Sequence, residues 1–275
     1  MKRAAVIGDP IAQSKSPLIH GFWLDRLGMA GRYEAIHVTE AELSKFIAAL
    51  PDSKLSGINV TIPHKEAVMR LVDQVTPAAR AVGAVNTVVV APDGLIGNNT
   101  DVDGVRAALA GVKLKGAKVA MIGAGGAARA ALHELRAAGV GEVHILTRTV
   151  ARGERLLGDF GLAGTVQPAE YAEAALENAT LLINASPAGM TGKAEMAPEI
   201  LAAMDRLAPG ALVFDMVYQP LETALLKRAR SLGLRTSDGL TMLIGQARAA
   251  FAAFYGAEPP ADPASDAALR AVLTS

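Results

Sequence analysis

Short apolar runs alternate with Ala- and Leu-rich amphipathic stretches along almost the whole chain, and that alternation limits the possible folds more than any single residue does. The runs Ala4–Gly8, Tyr33–Val38, Gly57–Thr61, Val85–Val90, Lys118–Gly123, Glu142–Thr147, Leu181–Asn184 and Leu212–Met216 read as strands. Between them, Pro17–Leu27, Glu40–Ala49, His64–Val72, Val102–Leu109, Ala127–Ala138, Ala151–Phe160 and Pro220–Leu232 read as helices. Strands separated by helix-length crossovers pair in parallel and need helices over them, so the expected class is α/β with mostly parallel sheets. With 275 residues the chain is long enough for two such units. The short polar connector Gly111–Gly116 precedes the strongest strand-glycine-helix signal, and a second crossing falls near Ser237-Asp238-Gly239. The apolar helix Leu240–Tyr255 then returns to the first unit. This predicts one domain from residues 1–101 plus 238–275 and a second from 102–237.

Composition removes several classes of function. The 27 basic and 27 acidic side chains cancel, whereas a nucleic-acid binder needs a basic excess. Half the residues (51%) are hydrophobic, which does not fit a disordered chain. Without cysteine there is no disulfide framework, no thiolate nucleophile and no Cys-ligated zinc. No His, Asp or Glu cluster has metal-ligand spacing, so no metal is expected. Met1-Lys2-Arg3 leads into an apolar run that Asp9 and Pro10 stop early, unlike a signal peptide. Nor is there an unbroken apolar run of roughly 18 residues, the length a membrane span requires. A cytoplasmic, globular protein is expected, with monomer and homodimer both open.

The segment Lys118–Ile122 runs straight into Gly123-Ala124-Gly125-Gly126-Ala127 and then a helix. A dinucleotide pyrophosphate needs a tight turn, close backbone approach and a helix N-terminus aimed at the anion. Gly123 and Gly125 serve the first two needs, and small Ala127 lets the helix pack on the strand. A glycine-rich loop without a ligand is the plain alternative; the strand-turn-helix context favours the cofactor. The next strand should end on an acid if the cofactor were NAD. Instead it runs into Thr147-Arg148-Thr149-Val150-Ala151-Arg152. Guanidinium groups and hydroxyls there suit a 2′-phosphate, and cations at a helix start are otherwise disfavoured by the helix dipole. NADP is the expected cofactor.

Four further segments look out of place as scaffolding: Ser14-Lys15-Ser16-Pro17, Asn59-Val60-Thr61-Ile62-Pro63-His64-Lys65, Gly83-Ala84-Val85-Asn86-Thr87 and Asn99-Thr100-Asp101-Val102-Asp103-Gly104. Ser16 before Pro17 has a structural explanation as a helix cap, and Asp101 could cap the helix that follows it. Ser14 has no such explanation. An EF-hand reading of Asp101-x-Asp103-Gly104 fails, because the later ligand positions hold Ala107, Leu109 and Val112. Together with Asn184-Ala185-Ser186-Pro187, Asp215-Met216-Val217-Tyr218 and Asp238-Gly239-Leu240-Thr241-Met242-Leu243, which ends three residues before Gln246, these blocks resemble the shikimate dehydrogenases over nearly the full chain.

The resemblance implies a substrate domain, a Rossmann-like NADP domain and a substrate site in a cleft between them. It implies reversible NADPH-dependent reduction of 3-dehydroshikimate to shikimate, a step toward chorismate and the aromatic amino acids. Ser14 and Ser16 would hold the substrate carboxylate. Thr61, Lys65, Asn86, Asp101, Tyr218 and Gln246 would surround the substrate, with Lys65 and Asp101 as the catalytic pair. Gly123, Ala124, Gly125, Gly126 and Ala127 would cradle the pyrophosphate. Thr147, Arg148, Thr149 and Arg152 would take the 2′-phosphate, and Met216 and Gly239 would lie beside the nicotinamide. The chain departs from the family pattern at Gln13 (commonly His), Gly21 (often Asn), Thr147 (commonly Asn) and Thr241 (often Gly). A quinate or dual quinate/shikimate dehydrogenase is the nearest rival; it usually prefers NAD and an acid where Arg148 stands. A non-catalytic dinucleotide sensor is a more distant one, with no need for the Lys-Asp pair or the Ser-x-Ser loop.

Overall fold

The computed structural model describes residues 1–274, which form two compact units. The first comprises Met1–Asp103 and Ile244–Ser275 and the second Gly104–Leu243. The chain of the first unit runs β1 (Lys2–Gly8), α1 (Ser16–Arg26), β2 (Gly31–His37), α2 (Glu40–Ala49), β3 (Gly57–Val60), α3 (Lys65–Val68), β4 (Gln74–Val75), α4 (Pro77–Val82), β5 (Thr87–Ala91), β6 (Gly94–Asn98) and the start of α5 (Asp101–Ala108). The second unit holds β7 (Lys118–Ile122), α6 (Gly126–Ala137), β8 (Glu142–Leu146), α7 (Val150–Phe160), β9 (Val166–Gln167), α8 (Ala172–Leu176), β10 (Leu181–Asn184), α9 (Pro198–Ala203), β11 (Leu212–Asp215), α10 (Ala224–Ser231) and β12 (Arg235–Ser237). The chain then passes through α11 (Gly239–Tyr255) and ends in α12 (Pro263–Thr274). No helix among the described residues is long and apolar enough to cross a membrane.

The first sheet has six strands in the order β2-β1-β3-β5-β6-β4. Strands β2, β1 and β3 are parallel, as the alternating pattern predicts, but β5 runs antiparallel to both β3 and β6. The reason is local: Asp93-Gly94 closes a hairpin, and Gly94 takes the φ of +116° that a side chain resists. The expected helix His64–Val72 shortens to Lys65–Val68, because Val72 folds inward against the β6 hairpin and the chain turns into β4. Val6, Ile7, Ile58, Val60, Val85 and Val88 are buried at the sheet, where branched aliphatic side chains suit the pleat. A separate aromatic cluster joins Trp23 and His20 of α1 to Tyr33 of β2 and Phe251 of α11.

The second sheet is parallel throughout, ordered β12-β11-β10-β7-β8-β9. Chain order reverses between β7 and β10, which opens a crevice outside their C-terminal ends where α/β proteins bind ligands. Strands β7, β10 and β11 are apolar and buried on both faces, and Thr223 caps α10 by accepting a hydrogen bond from the Leu226 amide.

Candidate active site

In the first sheet the order reverses between β1 and β3, so the loops after these strands flank one edge. The loop after β1 carries Ser14 and Ser16, and the loop after β3 carries Thr61 and leads into Lys65. Gly8 allows the two loops to approach: a Cβ there would come within 2.5 Å of the Thr61 methyl. Because β5 is antiparallel, its beginning lies at this same edge, bringing Asn86 next to the loops. The end of β6 does likewise for Asp101.

Lys65 Nζ donates to Asp101 Oδ2 at 2.5 Å, and Asn86 Nδ2 donates to Asp101 Oδ1 at 2.9 Å. The lysine and aspartate side chains remain 29% and 14% exposed, enclosed but reachable. The alternative reading of Asp101 as a helix cap is not what the structure shows. Helix α5 begins at Asp101 itself, and Asn99 Oδ1 accepts from the Asp101 amide, which releases the carboxylate for Lys65. Ser16 is likewise not the cap of α1. The helix begins at Ser16, whose amide donates to Ser14 Oγ at 3.3 Å, so Ser14 is the serine with a backbone role. Gln246 on α11 meets Thr100 Oγ1 at 3.5 Å through Oε1. Ser14, Ser16, Thr61, Lys65, Asn86, Asp101 and Gln246 all lie in the first unit, and Tyr218 lies in the second. Burial pushes the Tyr218 phenol above its usual range.

Among the polar residues behind this edge, Asn59, Thr87 and Thr100 lie in the motif blocks without an assigned role, and Tyr33 lies in none of them. Tyr33, Asn59, Thr87 and Thr100 are buried and hydrogen-bonded to one another or to Asn86. The available signal was the polar Asn59 and Thr87 next to apolar strand residues.

In the second unit, Gly123 has φ of +95° and a Cβ there would lie 2.9 Å from Ser186 Cβ, so only glycine serves. Gly125 and Gly126, by contrast, face open space where a Cβ would stand. Helix α6 begins at Gly126 with no side-chain cap and no acid in its first turn, leaving amide donors for an anion. Ala124 is buried beneath the turn and Ala127 is in the first helical turn. After β8, Thr147 is partly buried, while Arg148, Thr149 and Arg152 are exposed around the start of α7. Neither Arg148 nor Arg152 has an ion-pair partner among the described residues. This donor set fits a dinucleotide phosphate: open glycines, an uncapped helix and two unpaired guanidiniums.

The second unit also holds a buried polar knot that the sequence reading did not single out as a site. Asp215 at the end of β11 accepts from Asn184 Nδ2, the Val217 amide and Thr223 Oγ1. Burial pushes its carboxyl above the usual range, and those hydrogen bonds oppose the rise. Asn184 in turn holds Ser186, and its backbone carbonyl accepts from the Met216 amide. Gly239 lies against Met216, since a Cβ would come within 2.5 Å of the Met216 carbonyl oxygen.

Residues 6–88 match the family model of the shikimate dehydrogenase substrate binding domain, and residues 106–215 match that of shikimate / quinate 5-dehydrogenase. The chain is 51% identical over 274 residues to the shikimate dehydrogenase (NADP(+)) of Sphingopyxis alaskensis, covering 99% of this chain and 97% of that protein. It is 45% identical over 268 residues to the shikimate dehydrogenase (NADP(+)) of Methylobacterium radiotolerans, covering 95% and 94%. Among solved structures it is similar to the shikimate 5-dehydrogenase of Thermus thermophilus in complex with NADP(H) and shikimate. That likeness has a TM-score of 0.84 and 36% identity, and covers 99% of this chain and 100% of the other. With relatives this similar matched almost end to end, the chain belongs to the shikimate dehydrogenase family.

Proposed function

We propose that this chain reversibly reduces 3-dehydroshikimate to shikimate with NADPH, and that Lys65 and Asp101 are its catalytic pair. The observation that carries this reading is the 2.5 Å contact between Lys65 Nζ and Asp101 Oδ2, at a partly open edge shared with Ser14, Thr61 and Asn86. When bound, NADPH supplies the hydride for the 3-keto carbon. Lys65 has three donors; one engages Asp101 and the others are available to the substrate oxygen. There the ammonium stabilises the developing alkoxide and delivers the proton. In the reverse direction the same nitrogen takes the proton back. Asp101 holds Lys65 in place, its other oxygen being fixed by Asn86. Ser14 and Ser16 offer hydroxyls to the substrate carboxylate, and Thr61, Asn86, Tyr218 and Gln246 complete the substrate contacts.

The cofactor residues are Gly123, Ala124, Gly125, Gly126 and Ala127 at the pyrophosphate. Thr147, Arg148, Thr149 and Arg152 hold the 2′-phosphate, and Met216 and Gly239 serve the nicotinamide. Residues 1–101 and 238–275 then form the substrate domain and 102–237 the NADP domain. A cytoplasmic location goes with this reading, since NADPH and the substrate are diffusible metabolites. The test is turnover of the purified protein with shikimate and with quinate, each with NADP and NAD, beside a Lys65→Ala variant. Shikimate with NADP should be the best pair. Lys65→Ala should lose roughly 10²–10⁴ in kcat while NADP binding stays near that of the parent. Full turnover in that variant would remove Lys65 from the chemistry.

A further inference from the structure

We infer that Tyr33 is a positioning residue for the reaction, acting on Asp101 through Asn59, Thr87 and Asn86. This rests on the reading of Lys65 and Asp101 given above. Tyr33 is buried on β2, one strand beyond β1 and two from β3. It pairs in register with Ala4, and Ala4 with Gly57, so these positions share a face with Asn59 two residues on. Across β1, the phenol donates to Asn59 Oδ1 at 2.7 Å. His20 stacks on the ring at 3.9 Å with an interplanar angle of 11°, which holds its plane.

From there every donor points toward the active pair. Asn59 Nδ2 donates to Thr87 Oγ1 at 2.9 Å and to the Asn86 carbonyl oxygen at 3.2 Å. That carbonyl can only accept, so the Asn59 amide has one permitted orientation and Tyr33 must be the donor at its other end. Thr87 Oγ1 accepts from Asn59 and lies 3.0 Å from both Asn86 Oδ1 and Thr100 Oγ1; the Thr100 hydroxyl itself lies 3.2 Å from Asn86 Oδ1, so both routes end on that oxygen. The Thr100 amide, which can only donate, also points at Asn86 Oδ1, at 2.7 Å. The Asn86 amide is thus fixed as well, with Nδ2 facing Asp101.

The result is a one-way chain from Tyr33 to the carboxylate, and bonds aligned in this way polarise one another. Both oxygens of Asp101 are thereby committed as acceptors, one to Asn86 and one to Lys65. Burial drives the Tyr33 phenol well above its usual range, the Tyr255 hydroxyl adds to the rise, and a hydrogen bond from Ser16 opposes it.

Tyr33→Phe keeps the ring and removes the first donor. Its matched control is Tyr255→Phe, which removes a buried phenol's hydrogen bond to the Arg32 carbonyl in the same aromatic cluster but outside the chain. Tyr33→Phe should lower kcat about tenfold and leave KM for NADP within about twofold, whereas Tyr255→Phe should lower Tm and leave kcat within about twofold. Thr87→Val should lower kcat by a similar factor, and Thr87→Ser, which restores the hydroxyl, should recover it. The Tyr33→Phe, Thr87→Val double variant should be no slower than the slower single variant, because the two cut one chain. Wild-type kcat in Tyr33→Phe, or a double variant whose loss is the product of the singles, overturns the inference. If Tyr33→Phe does not fold, the Val and Ser variants at Thr87 decide it, equal kcat in the two counting against. Lys65→Ala run in parallel separates the two readings. If it stays active, the catalytic pair is wrong; if it is dead while Tyr33→Phe and Thr87→Val match the parent, only the positioning chain falls.

Discussion

His20 should make the first unit lose stability in mild acid, well before its carboxylates are protonated. The imidazole is fully buried, stacked on Tyr33 and close to Trp23, Phe251 and Phe254, and neither ring nitrogen has a hydrogen-bond partner. Burial therefore holds its pKa down, to about 3 from the usual 6.5. In the unfolded chain the ring takes up its proton near pH 6.5, while in the folded protein it stays neutral down to about 3. The unfolded state binds the extra proton throughout that window, so the contribution is complete above pH 6.5 and declines as the pH falls toward 3. One proton corresponds to about 1.4 kcal/mol per pH unit, hence about 2 kcal/mol between pH 6.5 and 5. Trp23 is the single tryptophan and sits fully buried in the same cluster, so its fluorescence reports unfolding of this unit. Urea titrations at pH 7 and pH 5 should show the parent losing about 2 kcal/mol more than a His20→Phe variant, which keeps the stacking and cannot protonate. Equal losses in the two proteins would falsify the argument.

Three other perturbations separate the roles assigned to the two units. Ser14→Ala should raise KM for shikimate by roughly ten- to a hundredfold and leave KM for NADP unchanged, as expected for a hydrogen bond to a charged acceptor of about 1.5–3 kcal/mol; an unaltered KM for shikimate would place the carboxylate elsewhere. Arg148→Ala should cut kcat/KM with NADP by about ten- to a hundredfold and hardly affect NAD, with a smaller difference in high salt, and equal losses with both cofactors would contradict the 2′-phosphate role. Asp215→Asn places an amide where three donors converge, so it should destabilise the second unit by about 1–3 kcal/mol in thermal unfolding, and an unchanged Tm would mean the knot is dispensable.

Strand and helix periodicity in this chain is a local property, and for that reason the βαβ alternation, the two α/β units' strands and the Gly123 turn are legible in the order of residues alone. The elements that escape such a reading are short or depend on partners. Strands β4 and β9 have two residues each, too few to show a period, and exist only because β6 and β8 offer an open edge. The antiparallel β5–β6 hairpin is signalled by Asp93-Gly94, yet in a chain of parallel crossovers Val85–Val90 alone gives no direction. Motif blocks likewise single out Ser14, Lys65, Asn86 and Asp101 without saying what each touches. Residue types at fixed spacings determined the fold class, the cofactor turn and which side chains to suspect. The resemblance paired Lys65 with Asp101; tertiary structure alone set the contact between them and placed Tyr33 behind the pair. Such contacts join residues 26 to 36 positions apart in the chain. Their hydrogen-bond partners are set by strand order and direction, which no local pattern encodes.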